Sequence, residues 1–162
     1  MNMSQTSETS TALLKSIRRL ARALDMHSRH INRESGLTLP QLIVLRCVRE
    51  LGEVTGRAIS EAADLSPPTV VGILDKLETK GLIERYRSTR DRRIVHTRLS
   101  GTGRALLDRS PSPLGARFET RFMALEARER AEILEAFRKA ADLALEPAVQ
   151  EAPEDDGPDL VH

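Results

Sequence analysis

The stretch SPPTVVGILDKLETKGLIERYRSTRDRRIVHTRLS, Ser66 to Ser100, decides the fold. Ser66 is a strong N-cap residue. Pro67 and Pro68 follow it where missing amide protons cost nothing, because first-turn donors have no partner inside a helix. Val70, Ile73, Leu74 and Leu77 then recur at helical spacing, and Gly81 stops the run. The opposite face offers Pro68, Thr69, Val71, Gly72, Asp75 and Lys76, a small and smooth surface. Beyond Gly81, LIERYRS and IVHTRLS alternate and are rich in β-branched residues, with the polar TRDRR between them. They read as a two-stranded hairpin.

Upstream, GRAISEAAD makes a short helix capped by Thr55, with Ala58, Ile59, Ala62 and Ala63 small enough for close helix approach. The turn Asp64-Leu65 joins it to the Ser66 helix. Two short helices across a tight turn, followed at once by a hairpin, predict a winged helix-turn-helix: a mainly α fold with a small β-hairpin wing. Before this unit, residues 39–51 form a helix with Leu42, Leu45, Val48 and Leu51 on one stripe, closed by Gly52. A long amphipathic helix occupies 11–33, capped by Thr9 or Ser10, carrying Leu13, Ile17, Leu20, Ala21 and Leu24 and ending at Gly36. After the hairpin, Ser100 caps another helix, which SPSP at 110–113 must break. LGARFETRFMAL resumes helical spacing through Leu114, Phe118, Phe122 and Leu125, and a last helix over about 126–145 buries Ile133, Leu134, Phe137, Ala141 and Ala144.

Charge points to the partner. The 162 residues carry a net +1, but Glu146, Glu151, Glu154, Asp155, Asp156 and Asp159 all fall in a tail without Lys or Arg. Against 25 bases the rest of the chain keeps 18 of the 24 acids, so the body stands near +7. A basic body with an acidic, Pro-containing, disordered tail over 146–162 suits a polyanionic partner. In the wing, Arg87, Arg90, Arg92, Arg93 and Arg98 surround the single acid Asp91. That crowding of like charge is explained by a turn entering a groove lined with phosphates. A narrow minor groove concentrates negative potential and takes an inserted guanidinium.

We assign Arg93 to the groove, with Arg92, Arg90 and Arg87 on flanking phosphates. Asp91 pairs with a turn arginine and fixes its direction. On the Ser66 helix, the amides behind Ser66, with Thr69 and Lys76, meet phosphates. Pro68, Val71 and Gly72 approach base edges, where Val71 can touch a thymine methyl but cannot form a bidentate hydrogen bond.

Other chemistries find little purchase. No Gly-rich phosphate loop or nucleophile elbow is present, and nothing calls for a cofactor. Cys47, the single cysteine, sits in an apolar run as a small hydrophobe. His27 and His30, near Asp25 and Glu34, are weak candidates for a metal, and polar surface is the more economical assignment. No apolar run has membrane-span length and the N-terminus lacks a signal-peptide pattern, so a cytoplasmic protein without a membrane partner is expected. Absence of Trp and scarcity of aromatics disfavour single-strand stacking platforms. Two alternatives stay open, a winged-helix protein-interaction module and a nonspecific architectural DNA binder.

LTLPQLIVLRCV, DLSPPTVVGILDKLETKGLIER and STRDRRIVHTRLSGTGRALL together resemble the MarR family of winged-helix transcriptional regulators, over about residues 12–145. The most specific element is Asp91-Arg92-Arg93, then Leu99-Ser100 after five residues, then Gly103 after two. The resemblance implies a homodimeric repressor on a pseudo-palindromic operator in double-stranded DNA. Each subunit would place a recognition helix (66–79) in the major groove and a wing (82–99) in the minor groove. Residues 38–100 would be the DNA-binding domain. The helix at 11–34 and the helices over 101–145 would form the dimerisation region, and a small-molecule effector would bind between the two regions, near Arg46, Cys47 and the start of the helix after the wing. Two departures stand out: Pro67 and Val71 occupy positions often polar in the family, and Pro111 and Pro113 interrupt a helix usually continuous there. SPSPLGARFETRF also resembles a branch that regulates compatible-solute (ectoine) genes.

Overall fold

The computed structural model describes residues 3–145; the acidic tail lies outside the described residues. Seven helices and three short strands follow one another as α1 (Met3–Ser35), α2 (Leu39–Leu51), β1 (Val54–Thr55), α3 (Gly56–Ala63), α4 (Pro67–Thr79), β2 (Ile83–Arg87), β3 (Val95–Leu99), α5 (Gly101–Arg109), α6 (Ala116–Met123) and α7 (Ala127–Leu145). The chain divides into two compact units between Glu119 and Thr120. No described helix is long and apolar enough to cross a membrane.

Local chemistry sets most element boundaries. Thr38 and Gln41 form a reciprocal capping box at the start of α2: the Gln41 amide donates to Thr38 Oγ1 (3.4 Å) and the Thr38 amide to Gln41 Oε1 (3.1 Å). Thr55, Ser66 and Ser100 accept from the amides of Ala58, Thr69 and Gly103 at the starts of α3, α4 and α5. Asp64 turns α3 into the α4 cap in the left-handed region (φ 52°), a conformation that Asp tolerates better than most residues. After Arg109 the helix stops at Ser110, ahead of Pro111 and Pro113, and α6 starts six residues later.

In the first unit Leu42, Leu45 and Val48 of α2, Ile59 of α3, and Val70, Ile73, Leu74 and Leu77 of α4 pack with Leu82, Ile83 and Leu99 of the hairpin and Leu106 and Leu107 of α5. These side chains are buried. At about 1.5–3 kcal/mol for each large apolar side chain removed from water, this core fixes the backs of both α4 and the wing. Ile31 near the end of α1 and Leu37 after it join the same core and are fully buried.

Four expectations need correction. The helix α1 begins at Met3, so Thr9 and Ser10 lie inside it and do not cap it. Nothing between residues 3 and 11 is Gly or Pro, so no residue there ends the helix. The sheet has three strands in the order β1-β3-β2, not two. Val54 pairs with Thr97 and Thr55 with His96 on the far side of β3 from β2. Leu51, at the α2 terminus, is exposed, and Val44 in the first half of the helix joins the buried stripe instead. Finally, α7 buries none of its stripe in the single chain: Ile133 is half-buried, while Leu134, Phe137, Ala141 and Ala144 are exposed. The α1 stripe of Leu13, Ile17, Leu20 and Leu24 is likewise exposed.

Candidate nucleic-acid interface

On α4 the buried stripe leaves Pro68, Thr69, Val71, Gly72, Asp75 and Lys76 at the surface, because residues three and four apart share a helix face. Ser66 Oγ caps the helix and also stands 2.7 Å from Thr69 Oγ1. Pro67 and Pro68 carry no amide proton, the Thr69 amide donates to Ser66 Oγ (3.4 Å) and the Val70 amide to the Ser66 carbonyl (3.0 Å), so the first turn has no free amide for the phosphate expected behind Ser66. A Cβ added at Gly72 would meet nothing within 4 Å. Its lack of a side chain is therefore not required by packing within the chain, and it keeps this part of the face flat.

The wing turn is ordered by its own side chains. Ser88 Oγ accepts from the amides of Arg90 (3.2 Å) and Asp91 (3.4 Å). Asp91 Oδ1 accepts from the Arg93 amide (3.0 Å) and Arg93 Nε (3.2 Å), while Oδ2 accepts from Arg93 Nη2 (3.2 Å). Arg87 Nη1 donates to the Arg92 carbonyl across the turn (2.8 Å). Arg87, Arg90, Arg92 and Arg93 are all exposed. The arms are braced on the outer sheet face, where Arg98 lies over the Tyr86 ring (5.3 Å) and pairs with Glu84 (2.8 Å), and His96 stacks obliquely beside Tyr86 (5.6 Å).

The Arg93 guanidinium, then its backbone amide, holds the Asp91 carboxyl below the ordinary aspartate range. The charged form is favoured by the fold, so the turn-ordering contribution is complete above that range and is lost as pH falls through the lowered value. In a side-chain NMR titration we expect the Asp91 midpoint below about 3.9, and a return toward that value in Arg93→Ala. A wild-type midpoint at or above the ordinary value would refute the pairing in solution.

The remaining candidates lie elsewhere in the first unit. His27 Nε2 donates to the Ser112 carbonyl (2.6 Å), and His30 Nδ1 is 3.9 Å from Glu34. No group of three or more His, Cys, Asp or Glu able to hold a metal exists among the described residues. Arg46 Nη2 donates to the Pro111 carbonyl (3.4 Å), and its Nε is buried without a hydrogen-bond partner. Cys47 packs half-buried against the core; burial, and then the charge of Glu50, push its thiol pKa up. That makes it a poor nucleophile at neutral pH. Sequence reasoning missed Arg85, whose guanidinium reaches α4 from β2. Its partners lie seven and ten residues back, a spacing that becomes a contact only once helix and strand have packed.

Residues 37–95 match the MarR family. The chain is 30% identical over 131 residues to the HTH-type transcriptional regulator YwhA of Bacillus subtilis, covering 81% of this chain and 88% of that one. It is 34% identical over 70 residues to the HTH-type transcriptional repressor MdtR of the same organism, covering 43% of this chain. It spans 45% of MdtR and 64% of a further B. subtilis regulator. Among solved structures, Bordetella bronchiseptica BpsR, described by regulation of its DNA binding by 6-hydroxynicotinic acid, superposes with a TM-score of 0.60. BpsR is 28% identical, with 77% of this chain and 91% of that one covered. The chain belongs to the MarR family of winged helix-turn-helix transcriptional regulators, a family of DNA-binding proteins and not of enzymes.

Proposed function

We propose that the protein is a sequence-specific, double-stranded-DNA-binding transcriptional repressor acting as a homodimer. In this role α4 reads the major groove and the arginine-rich wing enters the adjacent minor groove. The observation that carries the proposal is an exposed α4 face together with a wing turn that presents four exposed arginines and is ordered by Ser88 and by the Asp91–Arg93 pair. Phosphate contacts from Thr69, Lys76, Arg87, Arg90 and Arg92 would position the protein. Arg93 would read groove width. Pro68, Val71 and Gly72 offer shape and apolar contact but few hydrogen bonds, so the wing carries much of the sequence preference.

Two exposed apolar stripes support the homodimer, one on α1 and the other on α7 with Leu134 and Phe137. Left in water they would form patches uncommon on monomers, and two copies of the same surface can cover each other through a two-fold axis. At micromolar concentration, sedimentation is expected to give twice the 18.0 kDa chain mass. Ile17→Asp should shift it to the monomer while leaving the helix-turn-helix folded. A wild-type monomer, or a dimer indifferent to this charge, would overturn the α1 interface.

A further inference from the structure

One guanidinium joins the recognition helix to the wing. Arg85 projects from β2, the first wing strand, and its side chain is 27% exposed. Its Nη2 lies 2.6 Å from Asp75 Oδ1 and 2.5 Å from Glu78 Oε2, and Nε donates to Glu78 Oε2 at 2.9 Å. Both carboxylates belong to α4. Asp75 stands three and four residues beyond Gly72 and Val71, so it shares the face offered to DNA, and it is exposed. A carboxylate on that face repels phosphate unless a cation neutralises it. An ion pair at the surface contributes little to stability, so folding alone does not account for an acid here.

We propose that Arg85 is a positioning residue for DNA recognition: from β2 it neutralises Asp75 and Glu78 on α4, and it holds helix and wing at the angle at which both grooves are read together. The inference rests on the DNA-reading function proposed above. Nonspecific binding needs positive charge near phosphates and tolerates a loose wing. Specific binding needs helix and wing in register with successive grooves, and a small misplacement of a supported contact is costly. The planar fork of arginine spans two carboxylates, whereas lysine keeps the charge as a single point and cannot form the same bridge.

The test compares wild type, R85K and R85Q on the selected operator and on scrambled DNA, with melting temperature and oligomeric state as controls. R85K is expected to bind scrambled DNA with wild-type affinity and salt slope, and the operator about tenfold or more weakly. R85Q should lose at least as much on the operator, with a further loss on scrambled DNA from the uncovered acids. If R85Q does not fold, R85K carries the comparison alone. Wild-type operator affinity in R85K would overturn the positioning role and leave the DNA-binding function standing. A wild-type protein that prefers no sequence would overturn both.

Discussion

Gly103→Ala is expected to destabilise the protein by roughly 3 kcal/mol or more, because the new methyl has no room. A Cβ at this position would lie 2.0 Å from the Leu82 carbonyl oxygen and 2.9 Å from its carbon. Both are backbone atoms, so no rotamer change can relieve the contact. The same carbonyl accepts the Ser100 amide (3.1 Å), and Ser100 Oγ caps α5 through the Gly103 amide (2.9 Å). Pushing α5 away therefore strains the joint where the wing begins, the helix cap and the packing of Leu106 and Leu107 together. Thermal unfolding should fall on the order of 10 °C. Gly101→Ala, two residues earlier in α5, meets nothing within 4 Å and should be close to neutral. Equal melting temperatures for the two variants would show that α5 does not sit against Leu82 in solution.

Arg93→Ala is expected to weaken operator binding by roughly 1–3 kcal/mol per wing and to flatten the salt dependence, with the dimer intact. Two terms act in the same direction. The guanidinium assigned to the minor groove is lost, and Asp91 is left uncovered toward the phosphates. The Asp91–Arg93 ion pair does not hold the arginine back: at 3.2 Å with the Arg93 side chain 91% exposed, it is a surface pair of small net worth. On the proposed reading it orders the turn before binding and would yield to phosphate. In a fluorescence-anisotropy titration across salt concentrations, unchanged affinity would remove Arg93 from the interface. Asp91→Asn helps separate the terms, since it keeps the arginine and removes the acid.

Much of the fold is legible in the sequence because its signals are local. The caps at Thr55, Ser66 and Ser100 and the break before Pro111 each involve residues within a few positions of one another. So does the α4 stripe of Val70, Ile73, Leu74 and Leu77. What escaped depends on partners distant in the chain. Two residues are too few for β1 to show a period, and only pairing with Thr97 and His96 makes them a strand. The apolar spacing of α7 is a real pattern, but none of its residues is buried among the described residues, so spacing alone does not tell which surface would cover it. The wing arginines are visible as composition; the clamp through Arg85 is not, because Asp75 and Glu78 meet it only after α4 and β2 have packed.

Sequence preference tests the central claim most directly. Protein is incubated with a random double-stranded DNA pool at physiological salt, bound sequences are selected, and the winner is titrated against its scramble. We expect a pseudo-palindrome with half-sites about one helical turn apart, bound about a thousandfold or more above the scramble. Equal affinity for every sequence would contradict the account in favour of a nonspecific architectural binder, and no binding to any would contradict it in favour of a protein-interaction module.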